Sequence, residues 1–218
     1  YNENMRKFFY SISLFISIAF FSSQEIQGDD INNPEIYVDT KAQQMVSVIV
    51  NNQDLFKENP EDFKKLIKDI FEPMVDFRRV SALVMSKKYY LSATPEQRSA
   101  FIEIFKNSLL DTYSSTLAEW GDQEIVTMFS ADIEFKKNVE VQQMLVTNSS
   151  EYPITYKLRL GKNGYKIINI VVNGVNLGLT FRNQFKALAD KHDENIDAII
   201  SEWKLSLIHI SEPTRRLN

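Results

Sequence analysis

Few side chains in this sequence are equipped for bond chemistry. It contains no Cys, which removes thiolate nucleophiles, disulfides and Cys-based metal sites. It contains two His: His209 lies in a tail set aside below, and His192 sits in the polar stretch Asp190-Lys191-His192-Asp193-Glu194. One remaining His without thiolates is a poor start for a zinc site, which takes three or four protein ligands. Its charged surroundings read as a solvated loop between helices rather than as the setting of a catalytic base. Carboxylate pairs occur at Glu61/Asp62 and Asp132/Glu134. Acid–base catalysis needs one member of such a pair raised within a cleft, and the charged neighbours place both pairs on the surface. No G-x-S-x-G elbow, P-loop or G-x-G-x-x-G fingerprint is present. Gly161-Lys162-Asn163-Gly164 is too short to cradle a nucleotide. What remains is Arg78 and Arg182, whose guanidinium geometry suits phosphate oxygens, and a large apolar stock that includes 15 Phe and 9 Tyr. That is the inventory of a binding or structural protein, and no metal or organic cofactor is expected.

The two ends are read separately from the domain. Tyr1–Asn4 precede Met5, after which Met5-Arg6-Lys7 is basic and Phe8 to Phe21 is apolar apart from Ser and Tyr. Basic, then apolar, then small or polar is the order of a secretory signal peptide. The run of 14 residues is shorter than the roughly 20 that span a bilayer. Residues 1–23 are therefore expected to be removed on export, a retained membrane anchor being the alternative. At the other end Leu205 to Arg215 reads LSLIHISEPTR and resembles the translation of a transposase-type sequencing adapter. Residues 205–218 are expected to be non-native, which leaves residues 24–204 as one domain. Without Arg6, Lys7, Arg215 and Arg216 the 25 basic residues become 21, and without Glu3 and Glu212 the 29 acidic residues become 27. A net charge of −6 excludes a nucleic-acid binder built on a basic patch.

Periodicity predicts the elements. Val38, Ala42, Met45 and Ile49 form one face of a helix. Asn59-Pro60-Glu61-Asp62 opens another, with Asn59 as N-cap and Pro60 in the first helical position. Its buried face is Phe63, Leu66, Ile67, Ile70 and Phe71, and Pro73 marks its end. A third helical stretch from Asp76 turns Val80, Leu83 and Val84 inward. Thr94-Pro95-Glu96-Gln97 is a capping box that starts the longest helix, with Phe101, Phe105, Leu109, Thr112, Tyr113 and Leu117 along one side and a stop near Gly121. The period then changes to two. Ile154, Tyr156, Leu158 and Leu160 alternate with polar residues, a hairpin turn follows at Gly161–Gly164, and Tyr165–Val172 answers as a strand expected to be central because it is apolar on both faces. Ile125–Phe129 and Val139–Val146 supply further strands, and Leu177–Leu188 and Ile196–Trp203 close the chain as helices. Helices, antiparallel strands and helices again predict an α+β fold, a curved and mainly antiparallel sheet packed against several helices.

Several segments in this order resemble one family. They are Phe77-Arg78-Arg79-Val80-Ser81, Lys88-Tyr89-Tyr90, Ala93-Thr94-Pro95-Glu96-Gln97-Arg98, Phe105-Lys106 with Leu109 and Tyr113, and Tyr152-Pro153-Ile154. Gly164-Tyr165-Lys166, Val172-Asn173-Gly174-Val175-Asn176-Leu177 and Phe181-Arg182-Asn183-Gln184-Phe185 complete the set. Together they resemble the MlaC or toluene-tolerance family across about Val38 to Lys204, with Tyr165 standing where that family commonly has Trp. The resemblance implies a soluble, monomeric periplasmic protein that holds a phospholipid in an apolar cavity. It also implies two partners: an inner-membrane ABC transporter complex of the MCE type and an outer-membrane lipoprotein–porin complex.

A diacyl lipid leaving a bilayer exposes about 30 methylenes, on the order of 20 kcal/mol at about 0.8 kcal/mol each. A carrier has to replace that apolar environment and need not perform bond chemistry. On that reading the long helix offers Phe105, Leu109 and Tyr113 to a cavity, and the preceding segment offers Val84 and Tyr90. The sheet offers Tyr156, Leu158, Ile168, Ile170 and Val172, and Val175 and Leu177 form a rim after the Asn173-Gly174 turn. Arg78 and Arg182 are the candidates for headgroup contact. The same binary pattern also describes a filled core. An envelope adaptor without ligand therefore remains an alternative, as does a small cone-shaped isomerase built on an Asp.

Overall fold

The structure is a computed structural model that describes residues 33–131 and 136–206. The expected signal peptide, the Asp132/Glu134 pair and residues 207–218 with His209 lie outside the described residues. Helix α1 (Pro34–Asn51) starts where the Asn33 side chain accepts hydrogen bonds from the N–H groups of Glu35 and Ile36. A short α2 (Gln53–Glu58), which the apolar pattern does not announce, leads to α3 (Pro60–Met74). That helix opens as predicted: Asn59 accepts from the Asp62 N–H and Pro60 occupies the first position. It buries Phe63, Ile67, Ile70 and Met74 and ends one residue after Pro73. Asp76 caps α4 (Phe77–Ser92) by accepting from the Arg79 N–H at 3.0 Å. The capping box of α5 (Pro95–Ala118) is complete: the Gln97 N–H donates to Thr94 Oγ1 at 3.2 Å and the Thr94 N–H to Gln97 Oε1 at 2.9 Å.

Strands β1 (Glu124–Met128), β2 (Asn138–Val146), β3 (Glu151–Gly161), β4 (Gly164–Val172) and β5 (Val175–Asn176) form one sheet in the order β1-β2-β3-β4-β5, with antiparallel neighbours throughout. The hairpin between β3 and β4 closes at the Gly161–Gly164 pair, where Gly164 adopts a φ of 87° that a side chain would strain. Helices α6 (Leu177–Lys191) and α7 (Ile196–Ser206) follow. The α+β class is the one expected.

β4 is not the central strand that its apolar content suggested. β3 takes the centre, and beyond β4 lies only the two-residue β5. The exposed side of β4 is closed by the chain entering α4, where Val75 bridges Ile167 and the Asp76 N–H donates to the Ile167 carbonyl at 3.0 Å. An apolar strand can therefore sit next to a sheet edge when other parts of the chain cover that edge.

The helices cover one face of the sheet. β2 turns Val141 and Gln143 inward, β3 Ile154 and Leu158, and β4 Tyr165 and Ile167. The main core is an aromatic cluster from three helices, α5, α6 and α7. Trp203 of α7 lies 5.1 Å from Phe101, 5.8 Å from Phe105 and 6.1 Å from Phe185, and Phe105 lies 5.3 Å from Phe181. Several of these ring pairs meet edge to face, which adds about 0.5–1.5 kcal/mol per pair to the burial of their area. The seam between α1 and the sheet edge is polar instead. Glu35 accepts from the N–H and hydroxyl of Ser130, the Thr127 hydroxyl donates to Asp39, and Gln43 donates to the Ile125 carbonyl.

Two irregularities re-aim side chains. β3 and β4 change register between Lys157 and Leu158: Lys157 faces Asn169 while Leu158 faces Ile167, so Ile168 is left as the extra residue of a bulge. Inside α4, Ser86 has φ 62° and ψ 165°, a conformation open to Gly and strained for Ser.

Candidate binding cavity

Between the sheet and the helical layer the packing leaves a cavity of about 340 Å³, within the range of sites for small ligands. Its helical wall is Met45 of α1, Ile67 and Phe71 of α3, Phe77 and Val80 of α4, and Phe105, Leu109, Leu110, Tyr113, Ser114 and Leu117 of α5. Val75 joins it from the α3–α4 turn. The sheet wall is Ile154 and Tyr156 of β3 and Ile167, Asn169, Ile170 and Val172 of β4, and the start of α6 adds Leu177, Gly178 and Phe181. The surface is almost entirely carbon, and no charged side chain lines it.

Local structure explains why these elements stand where they do. The Gly178 N–H donates to Asn169 Oδ1 at 3.0 Å, and a Cβ at Gly178 would come within 2.5 Å of that oxygen. Asn169 Nδ2 donates in turn to Asn176 Oδ1 at 3.0 Å, which also accepts from the Leu179 N–H. The first turn of α6 is thereby stitched to β4, and the two donors at Gly178 and Leu179 that an anion would seek are already used. Burial pushes the Tyr156 hydroxyl up to about 12, and burial also raises Tyr113. Both rings keep partial accessibility because they border the open space. On the far side of α5, burial works against the charge of Lys106, but hydrogen bonds to Glu72 and Glu103 outweigh it and raise the ammonium.

Of the residues singled out from the sequence, Phe105, Leu109, Tyr113, Tyr156, Ile170, Val172 and Leu177 are brought together around the cavity. Five others are placed elsewhere. Val84 and Leu158 are fully buried in the filled core. Ile168 is the bulge residue, so the alternation passes from Ile167 to Ile170 and not through Ile168. Tyr90 lies after the break at Ser86 and packs under the Arg98 guanidinium, 4.5 Å from its ring centre, while Tyr89 takes the buried position against Phe185. Val175 is exposed on β5. Leu83, expected on the inward side of α4, is exposed as well.

Arg78 is exposed next to the inward-facing Phe77, and Arg182 is exposed with its Nε donating to the Leu83 carbonyl at 2.9 Å; neither borders the cavity. The contributions of α1 and α3 were missed. Their signal was present in the spacing Ile67–Phe71 and in Met45, but periodicity marks a buried face without saying what it faces.

His192 is not simply solvated. It caps the end of α6, and its ring pairs with Glu202 of α7, whose carboxyl is held low first by the Lys191 hydrogen bond and then by His192. Glu61 pairs with Lys64 and Asp62 with Asn59, both acids exposed as expected. Among the described residues no group of three or more His, Cys, Asp or Glu could hold a metal ion.

Fold and cavity together define a class: a mixed α+β domain built around an apolar, uncharged chamber. A family described as MlaC protein matches residues 39–205, and the chain belongs to the MlaC family. It is 34% identical over 153 residues to the toluene tolerance protein ttg2D of Pseudomonas putida, covering 70% of this chain and 71% of that one. It is 23% identical over 205 residues to the intermembrane phospholipid transport system binding protein MlaC of Haemophilus influenzae, covering 92% and 93% of the two chains. Among solved structures, the phospholipid-binding protein from Ralstonia solanacearum, in complex with a phospholipid, superposes with a TM-score of 0.71 at 23% identity, over 80% of this chain and 96% of that one.

Proposed function

We propose that this protein is a periplasmic phospholipid carrier, exported by its N-terminal segment and shuttling lipid between an inner-membrane ABC transporter complex and an outer-membrane lipoprotein–porin complex. The observation that carries the reading is the uncharged cavity of about 340 Å³, lined by carbon, in a chain of the MlaC family. The printed names of two relatives, one a binding protein of an intermembrane phospholipid transport system and one solved with a phospholipid, point to the same cargo. Acyl chains take the place of bilayer neighbours inside the cavity, and the headgroup stays in water, where Arg78 and Arg182 are within the exposed surface. No bond is made or broken in such a cycle, and the energy for loading or release comes from the partners.

Native mass spectrometry of residues 24–204, exported to a bacterial periplasm and purified without detergent, tests the proposal. A discrete added mass that resolves to phospholipid after denaturing extraction is the expected result. A bare polypeptide mass, with no uptake from offered vesicles, would replace the carrier with an envelope adaptor. Turnover of a small apolar substrate that is lost when one acid is replaced would replace it with an enzyme.

A further inference from the structure

Helices α4 and α6 carry a charge that the whole chain conceals. α4 has Arg78, Arg79, Lys87 and Lys88 and no acid, and α6 has Arg182, Lys186 and Lys191 against Asp190. Seven cations against one carboxylate make a net +6 within a chain of net −4. Carboxylates from neighbouring segments answer three of them: Asp76 pairs with Arg79, Glu194 with Lys88 and Glu202 with Lys191. Arg78, Lys87, Arg182 and Lys186 are exposed and have no carboxylate partner among the described residues. The two helices lie side by side and run the same way. Leu83 meets Arg182, whose Nε donates to its carbonyl, and one to two turns on Tyr89 meets Phe185, ring centres 5.5 Å apart. Their exposed sides therefore form one surface, with Arg78 towards its Leu179 end and Lys87 towards its Lys186 end. Two leucines stand among the cations, Leu83 at 42% and Leu179 at 50% exposure. The Leu179 end is also the chamber end, because Phe77 and Val80 of α4 and Leu177 and Phe181 of α6 line the cavity there.

We infer that the α4–α6 face is a docking surface for a bilayer that carries anionic phospholipids. In the periplasm proposed above such a bilayer is the polyanion at hand, so the inference rests on that reading and adds where the carrier touches lipid from outside. Cationic side chains interleaved with leucines are the pattern of helices that lie in a membrane interface: the stems bury, the charges reach phosphates, and the leucines enter the acyl boundary. An acidic protein would also answer the charge, but lysine is depleted from the cores of protein interfaces, and Lys87 and Lys186 are half of the unanswered set. Each cation near an anionic surface tightens binding about fivefold. Four of them give a contact that salt can reverse, as a carrier that must leave again requires. A bilayer held on this face lies against the wall behind which the chamber begins.

Flotation with vesicles tests this. The purified protein is mixed with vesicles of phosphatidylcholine alone or of equal parts phosphatidylcholine and phosphatidylglycerol. It is expected to bind the anionic vesicles about tenfold or more tightly than the neutral ones, and to be released in about 1 M salt, where the screening length is about 3 Å. K87E/K186E is expected to lose at least about tenfold of that binding. K65E/K162E changes the net charge equally on α3 and the β3–β4 turn and should keep it. Leu179→Ser should weaken binding to anionic vesicles and leave its salt dependence in place. Lipid held in the chamber, weighed by native mass spectrometry, should be the same in all variants, and melting curves show that they fold. No preference for anionic vesicles, or equal losses in the two double variants, overturns the inference and leaves the phospholipid reading standing. Salt-sensitive binding by a protein whose chamber holds no lipid removes the carrier reading and keeps the surface.

Discussion

Helix α5 passes through two regions with different packing. Along its first half Phe101 and Phe105 are fully buried against Phe181, Phe185 and Trp203. Along its second half Leu109, Tyr113 and Leu117 are half-buried and face open space. The residue types are of the same kind, and the helical spacing runs on unbroken. What differs is the opposite wall. The first half meets large rings from α6 and α7, whereas the second meets β-branched side chains of β3 and β4 and the Asn169–Gly178 stitch, which fixes α6 where it cannot close the gap. A chamber is therefore a property of two facing surfaces, and one helix can serve a filled core and an unfilled one at once.

Four substitutions sharpen or break that comparison. The largest effect is expected in the filled region. Trp203→Ala should cost about 3–5 kcal/mol, because the surrounding rings cannot collapse into the space left; a urea midpoint shift under 1 kcal/mol would show that the cluster is looser than its geometry. In the unfilled region, Ile170→Trp should leave stability within about 1 kcal/mol while reducing bound lipid at least tenfold, equivalent to ~1.4 kcal/mol. The same enlargement at Leu158, two pairs along the sheet but fully buried, should destabilise. Thermal melts with native mass spectrometry on both variants separate the cases, and equal destabilisation at the two positions would mean that the chamber tolerates no added volume.

The smallest effect concerns the clamp between the halves, where Lys106 Nζ reaches Glu72 of α3 at 2.7 Å. Glu72→Gln should cost ~1 kcal/mol at neutral pH, discounted because the carboxylate is 40% exposed. The Lys106 hydrogen bond, chiefly, holds the Glu72 carboxyl below its ordinary value. Its contribution is therefore complete above the unfolded value of about 4.3 and disappears as pH falls through the lower folded value. The gap in urea midpoint between wild type and variant at neutral pH should close below the folded value; a constant gap would show that the carboxylate charge is not what matters.

Much of the fold was legible because it rests on local rules. Thr94 with Gln97 announces the start of α5, Asn59 with Pro60 that of α3, and Gly161–Gly164 the hairpin, since each satisfies backbone groups within four residues. The candidate site was legible in part, because its departures come from contacts that alternation cannot encode. Ile168 falls on the inward face of the alternation because nothing in Tyr165–Val172 marks a bulge, and Tyr90 stands off the chamber because one strained residue, Ser86, interrupts the helical phase before it. The polar stripe Glu35, Asp39 and Gln43 follows helical spacing too, but its partners Ser130, Thr127 and the Ile125 carbonyl lie more than 80 residues away.

The position of Trp203 in the chain has a consequence for how the molecule comes into being. A ribosome releases Phe101 and Phe105 first, Phe181 and Phe185 some 80 positions later, and the indole they all surround after that. The cluster cannot close around a ring that has not yet been made, and contacts so distant in sequence form slowly. Through most of synthesis the polypeptide therefore stays open and threadable. Under the export proposed above, a translocation channel that accepts only extended chains would have that interval in which to take it up.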